Sequence, residues 1–459
     1  MGWLWRSGFL LLACLGQAQA ADYLELTDFQ LIDGSGTAPR AVRSLLARDG
    51  VIVAIDSVGV RPSPEPDARW QRIGLNGAWV MPGLVDTHVH ITRFPEPTHA
   101  ARILRGAVRG GVTAVRDLAG DARTLGELER AMVADEWAGP NLVYSALFGG
   151  PDVFANAPTN GMSPGRPTGA APWARVIDAR TDLRLAVAQA LGSGAGNLKI
   201  YGDLSPRLAT AIVTEAKRQG MLTTAHATVF PARPSDLIKA GVGSLSHAPY
   251  LVWEAVDKVP DDYGQRINGP WQSIAPDHPR LLALYREMAR RGVFLDATLY
   301  IYKAMQDFAP GQLRTDWTKA AFDWAVQATR HARAAGVRVT TGTDWFEPRD
   351  EYGLPHTHDE LALLVDSAGF TPMQAIVAAT RDGAAALGLE QTTGLVEVGK
   401  NADLLVLEAD PLADIGNTRR LRFTVRRGVV VMPSGAGRPG AAVTLPHGSA
   451  LQRAAGLTW

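Results

Sequence analysis

The chain has 459 residues, and 46 Lys plus Arg balance 46 Asp plus Glu, so the formal net charge is zero. With 46 % hydrophobic and 20 % charged residues, it has the composition of a folded protein with a large core, which excludes a disordered or fibrous chain. Without a basic excess to neutralise a phosphate backbone, no nucleic-acid partner is expected.

The N-terminus reads as a signal peptide over residues 1–20. Arg6 supplies the positive end, Gly8 to Gly16 is an apolar stretch too short to span a bilayer, and Ala18-Gln19-Ala20 has the small-x-small pattern of a cleavage site. Cleavage near Ala20/Ala21 implies a secreted or periplasmic protein. Leu11-Leu12-Ala13-Cys14 also reads as a lipobox, so a lipoprotein anchored at Cys14 is the alternative. Cys14 is the single cysteine, so a chain starting at Ala21 holds any metal through His, carboxylate or similar ligands. No later segment is apolar for long enough to predict a transmembrane span.

Residues 21–80 carry strand patterns: Tyr23 to Leu26 alternates, and Val51 to Ile55 follows an Asp49-Gly50 turn. The same texture returns over 390–432, in Ala402 to Leu407, Phe423 to Val425 and Val429 to Val431. Together these pieces predict a small β-sandwich domain built from both chain ends. Residues 81–389 alternate strands with helices. Eight strands are expected to end near His90, Asp117, Ala146, Tyr201, His226, His247, Thr298 and Asp344. That count predicts an α/β fold, a (β/α)8 TIM-like barrel, with a doubly wound sheet as the alternative. Gly149 to Trp173, rich in Pro, Gly, Ala and Asn, reads equally as a lid over the barrel mouth and as a surface insertion. Residues 433–459 are expected to form a C-terminal tail.

The chemistry-bearing residues fall at those strand ends. His88 and His90 are two apart in Val85-Asp86-Thr87-His88-Val89-His90, so on a strand both face the same side. Two satisfied core histidines would be the bland reading of that pair alone. His226, His247 and Asp344 close three other strands, and four of only ten His occupy such positions. Seven Lys stand against thirty-nine Arg, yet Lys199 sits inside the apolar run Leu198-Lys199-Ile200. An ammonium there is costly unless paired, and desolvation lowers its pKa. A neutral lysine amine reacts with carbon dioxide to give a carbamate, an anion with two oxygens able to bridge two cations. A lysine that snorkels out or forms a salt bridge is the plainer alternative.

Met81-Pro82-Gly83-Leu84-Val85-Asp86-Thr87-His88-Val89-His90 resembles the opening motif of the metal-dependent amidohydrolase superfamily. Gly110 to Asp117 and Gly394 to Leu404 are similar to its recurring segments, and Lys199-Ile200-Tyr201-Gly202 resembles the branch of imidazolonepropionase-like and prolidase-like (Xaa-amino-acid dipeptidase) proteins. The resemblance implies a binuclear site with a carboxylated lysine. By position, His88, His90 and Asp344 would bind one divalent metal, His226 and His247 the other, and Lys199 would bridge them. Zinc is the first expectation from these N and O ligands. The implied reaction is cleavage of an amide C–N bond, in dipeptides or N-acyl amino acids, by a metal-bridging hydroxide with Asp344 as base and then acid. Cyclic amides, lactones, esters and phosphotriesters are alternative substrates of the same site. A deaminase is disfavoured by the strand-four lysine. A non-catalytic scaffold would be expected to lack ligands that are all present here.

Around this set, Tyr201 faces the same side as Lys199, where its hydroxyl is a candidate to bind substrate and assist catalysis. Arg93 is a candidate for a substrate carboxylate. Arg116 and Asp117 could pair with each other or orient a ligand. His356 and His358 form a second HxH at an expected helix start, and His358 is a candidate at the pocket rim. The expected partner is a small-molecule amide or peptide, and an assembly of identical chains is left open.

Overall fold

The computed structural model describes residues 22–56, 68–92, 96–156, 162–307, 316–344 and 353–433. The expected signal peptide, Cys14, Arg93 and all but the first residue of the expected tail lie outside them. Among the described residues no helix is long and apolar enough to cross a membrane.

Both chain ends build one sheet. Its early strands are β1 (Asp22–Leu31), β2 (Arg40–Arg48), β3 (Val51–Ile55) and β4 (Arg69–Pro82). The barrel follows with β5 (Leu84–Val89), β6 (Val112–Asp117), β7 (Asn141–Gly149), a short hairpin β8 (Ala170–Ala171) and β9 (Ala174–Val176), then β10 (Asn197–Ile200), β11 (Leu222–His226), β12 (Ser244–Ser246), β13 (Phe294–Asp296) and β14 (Val339–Thr340). The last strands, β15 (Leu404–Leu407), β16 (Leu421–Arg426) and β17 (Val429–Val431), return to the first sheet, whose order is β17-β16-β15-β4-β1-β2-β3. The expected two-ended β unit is thus one continuous hydrogen-bonded sheet around its own apolar core. Leu24, Leu26, Phe29 and Leu31 of β1 all enter that core, although strict alternation would put the second pair on the opposite face. The cause is a bulge at Asp28, with φ 59°, where the register against β4 slips by two residues, Thr27 lying opposite Gly74 and Phe29 opposite Ala78.

The barrel strands run β5-β6-β7-β10-β11-β12-β13-β14 with every neighbouring pair parallel. First and last strands meet where Thr87 N donates to the Thr341 carbonyl at 2.8 Å and Asp344 N to the His88 carbonyl at 2.9 Å. The eight-strand barrel expected from the sequence is therefore present, nearly closed. Its outer helices are amphipathic. Pro206–Arg218 buries Ala209, Ile212, Val213 and Ala216, one stripe of the 3.6-residue period, and Ser205 caps it by accepting from Leu208 N. Pro279–Arg291 likewise buries Leu281, Leu284, Tyr285 and Met288 before a left-handed Gly292 stops it. This packing fixes the C-terminal strand ends at one mouth, where βα loops of such barrels carry their sites.

Candidate active site

Six predicted residues meet at that mouth. His88 and His90 leave β5 on one face, and their Nε2 atoms lie 3.0 and 2.9 Å from the same Asp344 Oδ1. The donor atoms of these three side chains all lie within 4.8 Å of one another. Lys199 stands on β10, fully buried, with Nζ 3.2 Å from Ser246 Oγ. The ring of His226 is 4.7 Å from that of His247, which is 5.1 Å from that of His88. His247, Thr298 and Asp344 have φ of 71°, 51° and 55°. Left-handed backbone at non-glycine residues is costly and concentrates where a site fixes side-chain direction.

Burial sets the protonation states. It brings the Lys199 ammonium down to about 7, opposed by the carboxylates of Asp296 and Asp344. It pushes His247 down to about 3 and, helped by the Lys199 charge, His226 well below its usual value. Burial also works against a proton on His88, but Asp344 and Asp296 outweigh it and raise that ring. For Asp344 burial alone would favour the neutral acid; the imidazoles of His88 and His90 reverse this and hold it well below the carboxylate range. The result is neutral imidazoles at His226 and His247, an ionised carboxylate at Asp344 and a lysine amine poised to lose its proton. Such donors fit divalent cations of the zinc type.

These six residues floor a cleft of about 690 Å³, counting its open mouth. Tyr201 lines it as expected, its ring 4.2 Å from that of His226. His358 does not line it: Nδ1 lies 3.0 Å from Thr418 Oγ1 and Nε2 lies 2.9 Å from the Gly110 carbonyl oxygen. Both ring nitrogens are used in holding the barrel to the chain-end unit, which corrects its expected substrate role. His356 stacks on Tyr300 with centroids 4.3 Å apart and contacts Asp359 at 2.8 Å. Nor do Arg116 and Asp117 pair, because adjacent strand residues face opposite ways. Arg116 donates to the Thr87 and Ala386 carbonyls, while Asp117 accepts from Ile91 N and Ala119 N. The Gly149 to Trp173 connection holds a helix, Pro151–Asn156, and the β8–β9 hairpin starts at its end; none of its described residues lines the cleft.

Three residues escaped the sequence reading. Asp296, fully buried on β13, places Oδ2 2.6 Å from His88 Nδ1. Tyr263 brings its hydroxyl 3.2 Å from His226 Nδ1. Arg266, one turn on, also lines the cleft. Asp296 carried a legible signal, a charge in the apolar run Phe294-Leu295-Asp296, the same one that marked Lys199. Tyr263 and Arg266 sit on a short 3-10 turn, Tyr263–Asn268, in a long connection without periodicity.

Residues 79–431 match the amidohydrolase family. The chain is 29 % identical over 386 residues to an ochratoxinase of Aspergillus niger, covering 73 % of this chain and 71 % of that one. The crystal structure of A. niger ochratoxinase superposes with TM-score 0.67 at 23 % identity, over 91 % of this chain and 97 % of its own. That of a Xaa-Pro dipeptidase with methionine bound in the active site gives TM-score 0.68 at 21 % identity, over 90 % and 100 %. These folds agree with the barrel and the two-ended sheet, and the matched span takes in every residue of the cleft. The chain belongs to the amidohydrolase family and is a hydrolase acting on amide carbon–nitrogen bonds.

Proposed function

We propose that this hydrolase is a secreted, binuclear metal enzyme that cleaves dipeptides or N-acyl amino acids. The observation that carries the reading is the meeting of four imidazoles, one carboxylate and one buried lysine in a single cleft. His88, His90 and Asp344 would hold one divalent cation, His226 and His247 a second, and a carbamate on Lys199 would reach both. Bound there, the cations would supply Lewis acidity to the scissile carbonyl and lower the pKa of the attacking water. Asp344 takes the proton of that water and delivers it to the leaving amine. Tyr201 turns its hydroxyl to the substrate carbonyl or carboxylate. The aromatic walls, Tyr250, Tyr302 and Trp317 among them, exclude bulk water and strengthen each of these contacts. Export rests on the order of Arg6, the Gly8 to Gly16 stretch and Ala18-Gln19-Ala20.

The test is a hydrolysis screen of protein supplied with zinc and bicarbonate. It spans dipeptides, N-acyl amino acids, lactones and phosphotriesters, and includes ochratoxin because an A. niger relative is an ochratoxinase. Turnover of amides is expected. Turnover of lactones or phosphotriesters with none of the amides would overturn the reading. N-terminal sequencing of protein recovered after export is expected to begin at Ala21; lipid on Cys14 would instead favour an anchored form.

A further inference from the structure

Outside the six residues already described, one charged side chain lines the cleft among the described residues, and that is Arg266. Its guanidinium carbon sits 4.4 Å from the centroid of the Tyr263 ring, and Nη1 reaches the Tyr263 carbonyl only at 3.4 Å. Neither contact neutralises the charge. The nearest acid in sequence on the same turn, Asp262, points its oxygens at Gly264 N and the Gln265 side chain. A half-buried cation facing a cleft, with no acid paired to it among the described residues, is a receptor for an anion, and a guanidinium fork matches a carboxylate with two parallel hydrogen bonds. The same Tyr263 that carries the cation on its face touches His226 with its hydroxyl at 3.2 Å. One tyrosine therefore separates Arg266 from the imidazole wall. In an amide whose amine half is an amino acid, the carboxylate carbon is three bonds from the scissile carbonyl carbon, which suits a span of that kind. Ile267, Ile301, Met305 and Trp317 leave apolar surface for the remainder of the substrate.

We infer that Arg266 determines specificity by binding the carboxylate carried by the amine half of the substrate. The inference rests on the amide-hydrolase reading above and sharpens it. Its test is equilibrium binding, read by calorimetry on the metal-loaded protein, of two ligands that cannot be hydrolysed. One is 3-benzoylpropionate, a ketone analogue of an N-acyl amino acid with CH2 in place of the scissile NH; the other is the alcohol that replaces its carboxylate. The acid is expected to bind the native protein more tightly than the alcohol. In Arg266→Met that preference is expected to fall by roughly 10- to 100-fold, the worth of a charge-assisted pair, and Arg266→Lys to restore part of it. An undiminished preference in Arg266→Met, or an equal loss for acid and alcohol, would overturn the assignment. Absence of amide turnover in the screen above, with this preference intact, would sink the amide reading and leave Arg266 as the anion receptor.

Discussion

Lys199 and Asp296 show how a single charge in a hydrophobic strand reports a site. Each is fully buried, and each faces the barrel axis beside His88 or His247. Lys199→Ala is expected to lose activity and the second of two bound metals, read as the metal-to-protein ratio alongside kcat/KM; a variant that is fully active without metal would falsify the bridging role. Asp296→Asn keeps the shape but weakens the acceptor on His88 Nδ1, which fixes the ring and raises its basicity. Metal affinity is expected to fall roughly 10- to 100-fold, measured by competition with a chelator. Both carry that signal, but the sequence reading singled out only Lys199, because lysine is scarce in a chain of seven and aspartate is not. Asp296 fell two residues before the expected strand end at Thr298, on the same face, and one more step of alternation would have found it.

The ligand-bearing strands were legible because period-two apolar runs survive any loop change. Connections were not, because they are held by contacts distant in sequence. The short helix Leu299–Ala304 is an example. It brings Ile301 and Tyr302 to the cleft, and its start is fixed by Glu360, sixty residues on, which accepts from Leu299 N at 3.1 Å and Tyr300 N at 2.6 Å. Sequence alone drew attention to His358 in this stretch, whereas the side chain that touches the cleft wall's support is two residues later. Glu360→Gln keeps one acceptor and turns an N–H2 group toward a backbone N–H. The cost of one buried donor left unpaired is about 1–3 kcal/mol. The expected outcome is a lower denaturation midpoint together with a raised KM; a change in neither would show that the helix start is held elsewhere.

At the scale of the whole molecule, the barrel and the two-ended sheet are joined by buried polar seams. Arg426 of β16 donates to the Gly139 carbonyl, Asn141 Oδ1 and Asp403 Oδ1, tying the sheet to the start of β7. His358 forms another, between Gly110 and Thr418. Burial pushes the His358 ring down to about 4. Unfolded, it would titrate near its ordinary value of about 6.5. Between these values the unfolded chain binds a proton that the folded chain refuses. The stabilisation is therefore whole above about 6.5 and is lost as pH falls through 4, an effect of roughly 3 kcal/mol at most. Urea denaturation at pH 7 and pH 4.5 is expected to show a smaller acid loss for His358→Gln than for the native chain, and identical losses would assign the acid sensitivity to other groups.

The position of β4 has a consequence for synthesis. It lies in the sheet between β1, which precedes it, and β15, which begins more than three hundred residues later. Until Leu404–Leu407 emerges, the far side of β4 is an open edge of unpaired amide and carbonyl groups. At a translation rate of about 5–20 residues per second, that edge waits on the order of fifteen seconds to a minute for its partner. An open edge is a template for pairing with another chain. The nascent protein is thus most exposed to misassociation while its barrel is being made, and its first strands depend on its last ones to become safe.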